Sequence, residues 1–175
     1  MDVPPRDLLL EIGCGHGVAV SLVCERLGDG GFVLVLDRSE KIVTMARARN
    51  ARYVQSGLAG FQVASLHAAD LGNTMFDTIF AIHVPVLLRG KPDAELAIVR
   101  RHQKQGGAFA LPYQPLTPDQ VMPTGRRLTT MLARAGFREI DIVTEELASG
   151  AAGCVRDDLS GQHAVGNVGH AVPSA

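Results

Sequence analysis

The chain has 175 residues, 46% of them hydrophobic and 20% charged, with a formal net charge of −1. That balance describes one globular domain able to close a core, and it leaves no basic block to predict a nucleic-acid or acidic membrane partner. Three cysteines without metal-ligand spacing point away from disulfides and towards a reducing, cytoplasmic setting. No apolar run reaches the ~18 residues of a membrane span, and MDVPPRDLLLEIG lacks the basic-then-apolar order of a secretory leader.

In chain order, DLLLEIG (7–13) reads as a buried strand. Val20, Val23, Cys24 and Leu27 then repeat at helical spacing, and Gly28 is placed to stop that helix. GFVLVLD (31–37) is a second buried strand, ending at Asp37. Ser39 is the expected cap of the next helix, whose apolar stripe includes Ile42, Met45 and Ala46. FQVASL (61–66) and FDTIFAIHV (76–84) are the third and fourth strands. Asp93 opens a helix through Leu96, Val99 and Arg100, closed by Gly106 and Gly107. GAFALPY (107–113) makes a fifth strand. Thr117, Pro118 and Gln120 resemble a capping box that Pro123 soon interrupts, and Leu128, Met131, Leu132 and Ala135 carry a helix to Gly136. FREIDIVTEEL (137–147) is a sixth strand whose alternation suits a sheet edge.

Strands separated by crossover helices predict an α/β fold: a doubly wound, mostly parallel sheet with helices on both faces and an antiparallel edge strand near the C-terminus. Residues 1–156 are expected to form this domain. Residues 157–175 lose the pattern and read as a flexible tail, whose His163 and His170 are too loosely spaced for a metal site. His67 and Asp70 likewise lack a third ligand, so no metal is expected.

In EIGCGHG (11–17), glycine recurs at every second position where the first strand ends. Bare backbone there lets a ligand approach without meeting a Cβ, and the following helix offers free N–H groups to an anionic or carboxylate-bearing molecule. A tight turn alone explains one or two glycines, not three. A dinucleotide fingerprint needs G-x-G-x-x-G, but here Val18 stands where its third glycine would be. Asp37, at the end of the second strand, can accept from both hydroxyls of a ribose. Ribose occurs in more than one class of cofactor, so this feature alone does not name the ligand, and capping of the next helix is the lesser alternative for Asp37.

The run EIGCGHG resembles the acid-x-G-x-G-x-G motif of class I S-adenosylmethionine-dependent methyltransferases, and the resemblance continues in order over roughly residues 6–156. It implies a Rossmann-like fold with S-adenosylmethionine bound by Glu11, Gly13, Cys14, Gly15 and Gly17, and S-adenosylhomocysteine as product. Asp37 would hold the ribose; Arg38 would either flank the adenine or be solvated. The resemblance matches Asp70, in AADL, to an acid that accepts from the adenine amino group, with the Leu71 N–H completing that contact. It places Ile82 and His83, in FDTIFAIHVP, closest to the transferred methyl. The N/D-P-P-aromatic run of many amide and base methylating members is replaced by IHVP, which argues against nucleic acid and for a small-molecule acceptor.

If the acceptor is a hydroxyl, His83 is the candidate general base, because a free imidazole titrates near neutrality; a histidine at a strand end is also often structural. Tyr113 either lines the acceptor pocket or belongs to the core. The first strand begins within about ten residues of Met1, so the family's N-terminal lid helices are expected to be largely missing. That lid is then either absent or supplied otherwise, for example by a second copy in a homodimer; a truncated start or a lost activity would explain its absence as well. The rival readings are a binding or partner subunit of the same fold without its own methyl transfer, and an NAD-dependent oxidoreductase.

Overall fold

A computed structural model describes residues 3–147 and 150–158. Apart from Asp157 and Asp158, the expected tail with His163 and His170 lies outside the described residues. Seven strands, β1 (Leu8–Ile12), β2 (Phe32–Asp37), β3 (Ala59–Val63), β4 (Phe76–Phe80), β5 (Gln103–Tyr113), β6 (Ile140–Leu147) and β7 (Gly150–Asp158), form one sheet in the order β3-β2-β1-β4-β5-β7-β6. The pairings among β1 to β5 are parallel. At the C-terminal edge β7 runs antiparallel to both β5 and β6, and β6 is outermost, as its alternation predicts.

The central strands are greasy on both sides because both faces are covered. On one face α1 (Val18–Cys24), α2 (Glu40–Arg49) and α3 (Ala51–Gln55) bury Val20, Val23, Val43, Ala46 and Tyr53 against Leu9, Val33 and Val35. On the other, α4 (Pro85–Arg89), α5 (Asp93–His102) and α6 (Val121–Arg134) set Leu87, Leu96, Val99, Leu128 and Leu132 against Leu10, Ile79, Phe109 and Leu111. Each Val, Leu, Ile and Phe among them contributes ~1.5–3 kcal/mol on burial. Among the described residues no helix is long and apolar enough to cross a membrane.

Several boundaries differ from the sequence reading. Ser39 does cap α2, its Oγ accepting from the Ile42 N–H at 3.3 Å. The buried stripe that follows is Val43 and Ala46, however, and Met45 faces outward. Gly106 and Gly107 do not close α5; β5 starts directly after it, and the two glycines lie in the irregular register between β4 and β5. Pro123 does not interrupt α6, because it is the third residue of the helix, where no intrahelical N–H bond is required. Thr117 makes no side-chain cap; Pro118–Gln120 form a 3-10 turn instead. Phe137 precedes β6 and packs on Phe109, the ring centroids 5.4 Å apart.

β7 was not anticipated. GAAGCVRDD is poor in β-formers and punctuated by glycine, and what holds it is long-range. Val155 is fully buried, and Gly153 leaves the space that the Tyr113 hydroxyl occupies. Buried Asp157 accepts from Gln103 Nε2 at 3.1 Å and from the Arg138 N–H at 2.9 Å. Asp157→Ala leaves these donors short of a partner and is expected to cost about 3 kcal/mol. Urea unfolding should show the midpoint fall with an unchanged slope; an unmoved midpoint would refute the assignment.

Candidate functional site

Strand order reverses between β1 and β4, and ligands of such sheets bind beyond the carboxyl ends of the strands at that crevice. A cavity of about 690 Å³ lies there, within the range of small-molecule sites. Its floor is the β1–α1 turn, where Gly13 and Gly15 line it, and its flanks come from the ends of β2, β3 and β4.

The three glycines do different work. All have positive φ: +79° at Gly13, +46° at Gly15 and +74° at Gly17. A Cβ on Gly15 would meet nothing within 4 Å, so this backbone opens onto the cavity. A Cβ on Gly13 would stand 2.7 Å from Val84 Cγ2, so this glycine admits the segment after β4. Gly17 does not line the cavity. It caps α1 in the left-handed conformation, and its carbonyl accepts from Asn50 Nδ2 at 2.9 Å and Ser21 Oγ at 3.2 Å. It is a packing glycine between α1 and α2. At seven residues α1 is also too short for its dipole to weigh in the binding argument.

Glu11 and Cys14 lie beneath the turn rather than in the cavity. Glu11 points to the side of the sheet where Leu9 packs, with 1% of its surface exposed and Oε2 without a protein partner among the described residues. Burial, with the neighbouring Asp37 charge adding to it, pushes its carboxyl up to about 8. The Cys14 thiol donates to the Gly15 carbonyl at 3.7 Å, and burial first, then Asp37 and Glu11, push it up to about 12. It therefore stays a thiol that closes the turn.

Asp37 and Arg38 do line the cavity. Asp37 Oδ1 accepts from the Ser39 N–H at 2.9 Å, so the carboxylate braces the entry to α2; Oδ2 has no protein partner among the described residues and is free for a ligand. After β3 the cavity is met by Ala64, Ser65 and Leu66. Asp70 and Leu71 do not line it: they line an adjoining hollow of about 290 Å³ that shares Leu66 and His67 with the cavity, and Asp70 Oδ1 accepts from the Gly72 N–H at 3.3 Å in a local turn. The adenine contacts expected of them would thus fall outside the cavity lining, where Ser65 and Leu66 stand instead. β3 ends at Val63, three residues earlier than read, and this shift moves the cavity-facing loop to Ser65. His67, on that loop, pairs with Glu95 of α5 at 3.1 Å across the cavity lining, a contact between residues 28 apart that no local pattern marks.

Ile82 and His83 line the cavity beyond β4, with Val84, Pro85 and Val86. The fourth strand ends at Phe80, and His83 itself is left-handed, at φ 55°. Its Nε2 accepts from the Gln114 N–H at 3.0 Å, which ties the β4 end to the β5 end. Tyr113 belongs to the core: it is 3% exposed and its hydroxyl donates to the Val121 carbonyl at 2.9 Å.

Residues 9–107 match the family model of the methyltransferase domain. No curated protein matches the chain. The fold is shared with an Aquifex aeolicus SAM-dependent methyltransferase at 17% identity, covering 89% of this chain and 84% of that one with a TM-score of 0.70. It is also shared with the Bradyrhizobium japonicum WM9 N-methyltransferase NodS, at 16% identity over 87% and 85% with a TM-score of 0.66. The O-methyltransferase TomG from Streptomyces achromogenes, solved in complex with SAM, aligns at 17% identity over 87% and 72% with a TM-score of 0.66.

Proposed function

The chain belongs to the methyltransferase domain family, and we propose that it transfers a methyl group from S-adenosylmethionine to a small-molecule acceptor, leaving S-adenosylhomocysteine. The observation that carries this reading is the bare Gly13–Gly15 backbone facing the cavity, with Asp37 at its flank holding one carboxylate oxygen free. A side chain at Gly15 would stand in the space a ligand needs. These residues fit an adenosyl group with a methionine arm.

When bound, the methyl donor supplies an electrophilic methyl carbon on a positively charged sulfur. The chain's own task is then to bind, orient and dry the site. Asp37 Oδ2 would accept from the ribose hydroxyls, and Arg38, Ser65 and Leu66 would border the base. Ile82 and His83 would face the acceptor. Holding reactants in line in this way can supply roughly 7–11 kcal/mol without a covalent intermediate. The net charge of −1 and the IHVP run support a small acceptor over nucleic acid.

Calorimetric titration tests the reading: S-adenosylmethionine and S-adenosylhomocysteine should bind and NAD should not. Binding of NAD alone would overturn it. Asp37→Ala should weaken binding of both adenosyl compounds by about 1–3 kcal/mol, the worth of a hydrogen bond to a charged group, or roughly 5- to 150-fold. Unchanged affinity would remove Asp37 from the ribose.

A further inference from the structure

We propose that His83 meets the methyl acceptor as a hydrogen-bond donor through Nδ1, and that the acceptor therefore attacks with a lone pair already free rather than through a hydroxyl needing a base. This deepens the methyl-transfer reading and rests on it for the identity of the reaction. The tautomer of His83 does not rest on it.

The geometry points one way. A backbone amide can only donate, so the Gln114 N–H at 3.0 Å requires Nε2 to be the unprotonated nitrogen of a neutral ring. The ring proton then sits on Nδ1, which has no partner among the described residues, while the residue lines the cavity. The left-handed backbone at His83, φ 55°, is uncommon for a side-chain-bearing residue and persists only where the surroundings over-determine it. The bond to Gln114 is one such determinant, and it fixes the ring between two strand ends. A ring held this way has no free lone pair to take a proton.

The other carboxylates and imidazoles lining the cavity are Asp37, which braces the entry to α2, and the His67–Glu95 pair, in which Glu95 of α5 is engaged by the His67 ring at 3.1 Å. The fitting acceptor is a weakly basic amine, a ring nitrogen or a thiolate, with a neighbouring oxygen for Nδ1–H to grip. Its lone pair forms the new bond to the methyl carbon as the carbon–sulfur bond breaks onto sulfur. With a nitrogen nucleophile, the positive charge passes from sulfur to nitrogen, and any proton leaves to solvent afterwards.

Long-range ¹H–¹⁵N correlation spectra of the ¹⁵N-labelled chain, saturated with S-adenosylhomocysteine, test the tautomer directly. The His83 signals, identified by their loss in His83→Asn, should show Nδ1 protonated and Nε2 bare. The reverse pattern overturns the proposal. In a second arm, skeleton-matched aromatic amines, thiols and alcohols are offered with S-adenosylmethionine. The amines and thiols should be methylated and the alcohols not. His83→Leu should lower kcat/KM about tenfold, and His83→Asn, which keeps an N–H in place and tolerates the left-handed backbone, should recover most of that loss. Methylation of alcohols that falls 100-fold or more in both variants would make His83 a general base and overturn the proposal. If no acceptor is methylated while the tautomer is as expected, the methyl-transfer reading fails and the ring assignment stands.

Discussion

Glu11→Gln is expected to leave the chain more stable than wild type by about 3–5 kcal/mol at pH 8, and close to equal to it at pH 5. The carboxyl is buried under the β1–α1 turn with Oε2 unpartnered among the described residues, and its affinity for a proton is raised from 4.5 to about 8, by burial first and by the Asp37 charge second. Between those two values the folded state holds a proton that the unfolded state has released. Stability from this group is therefore complete below about 4.5 and is lost as the pH rises towards 8. Glutamine has no such titration, so the difference between the two unfolding free energies isolates Glu11 from every other ionising group. Urea unfolding at several pH values with equal slopes measures it. Parallel stability curves for the two chains would show that Glu11 is not protonated in the folded state.

Gly17→Ala is expected to destabilise the fold by about 3 kcal/mol. The backbone stands at φ +74°, where an added Cβ carries steric cost, and that Cβ would lie 2.7 Å from Asn50 Nδ2 and 3.0 Å from the Ala46 Cβ. Asn50 is fully buried, and its amide spans Gly17 and Ala46 while its oxygen accepts from Ser21. Displacing it loosens α1 from α2. Gly15→Ala is the matched comparison: with nothing within 4 Å it carries only the left-handed strain, about 1 kcal/mol, but it fills the cavity floor. The first variant should lose melting temperature, and the second should lose affinity for S-adenosylhomocysteine with far less loss of stability. The opposite pattern would exchange the roles assigned to the two glycines.

The same glycines show where reading the chain succeeds and where it stops. Their spacing at the end of β1 marked a turn with bare backbone, and Gly13 and Gly15 there line the cavity. It did not show that Gly17 faces a helix, since that depends on Asn50, 33 residues away. Asp37 was legible because it ends an apolar run. That Asp70 lies outside the cavity lining was not legible, because the end of β3 depends on its ladder with β2, which pairs Asp37 with Val63 and so releases the chain at Ala64. His83 was legible as a residue at the end of the fourth strand, where it lines the cavity. The contact of its Nε2 with the Gln114 N–H, 31 residues on, was not.

By itself, then, the sequence determined the alternation of strands and helices, the two-sided burial of β1 and β2, the cap at Ser39 and the open turn at Gly15. These follow from hydrophobic period, local hydrogen bonding and φ freedom over a few residues. Only the tertiary structure decided β7, the outward Met45, the place of Ser65 and the state of His83. Each of these is set by a partner distant in sequence, as Gln103 and Asp157 are, 54 residues apart. Contacts of that range have no signature in local pattern, because the free energy that selects them is gained only when the sheet is assembled.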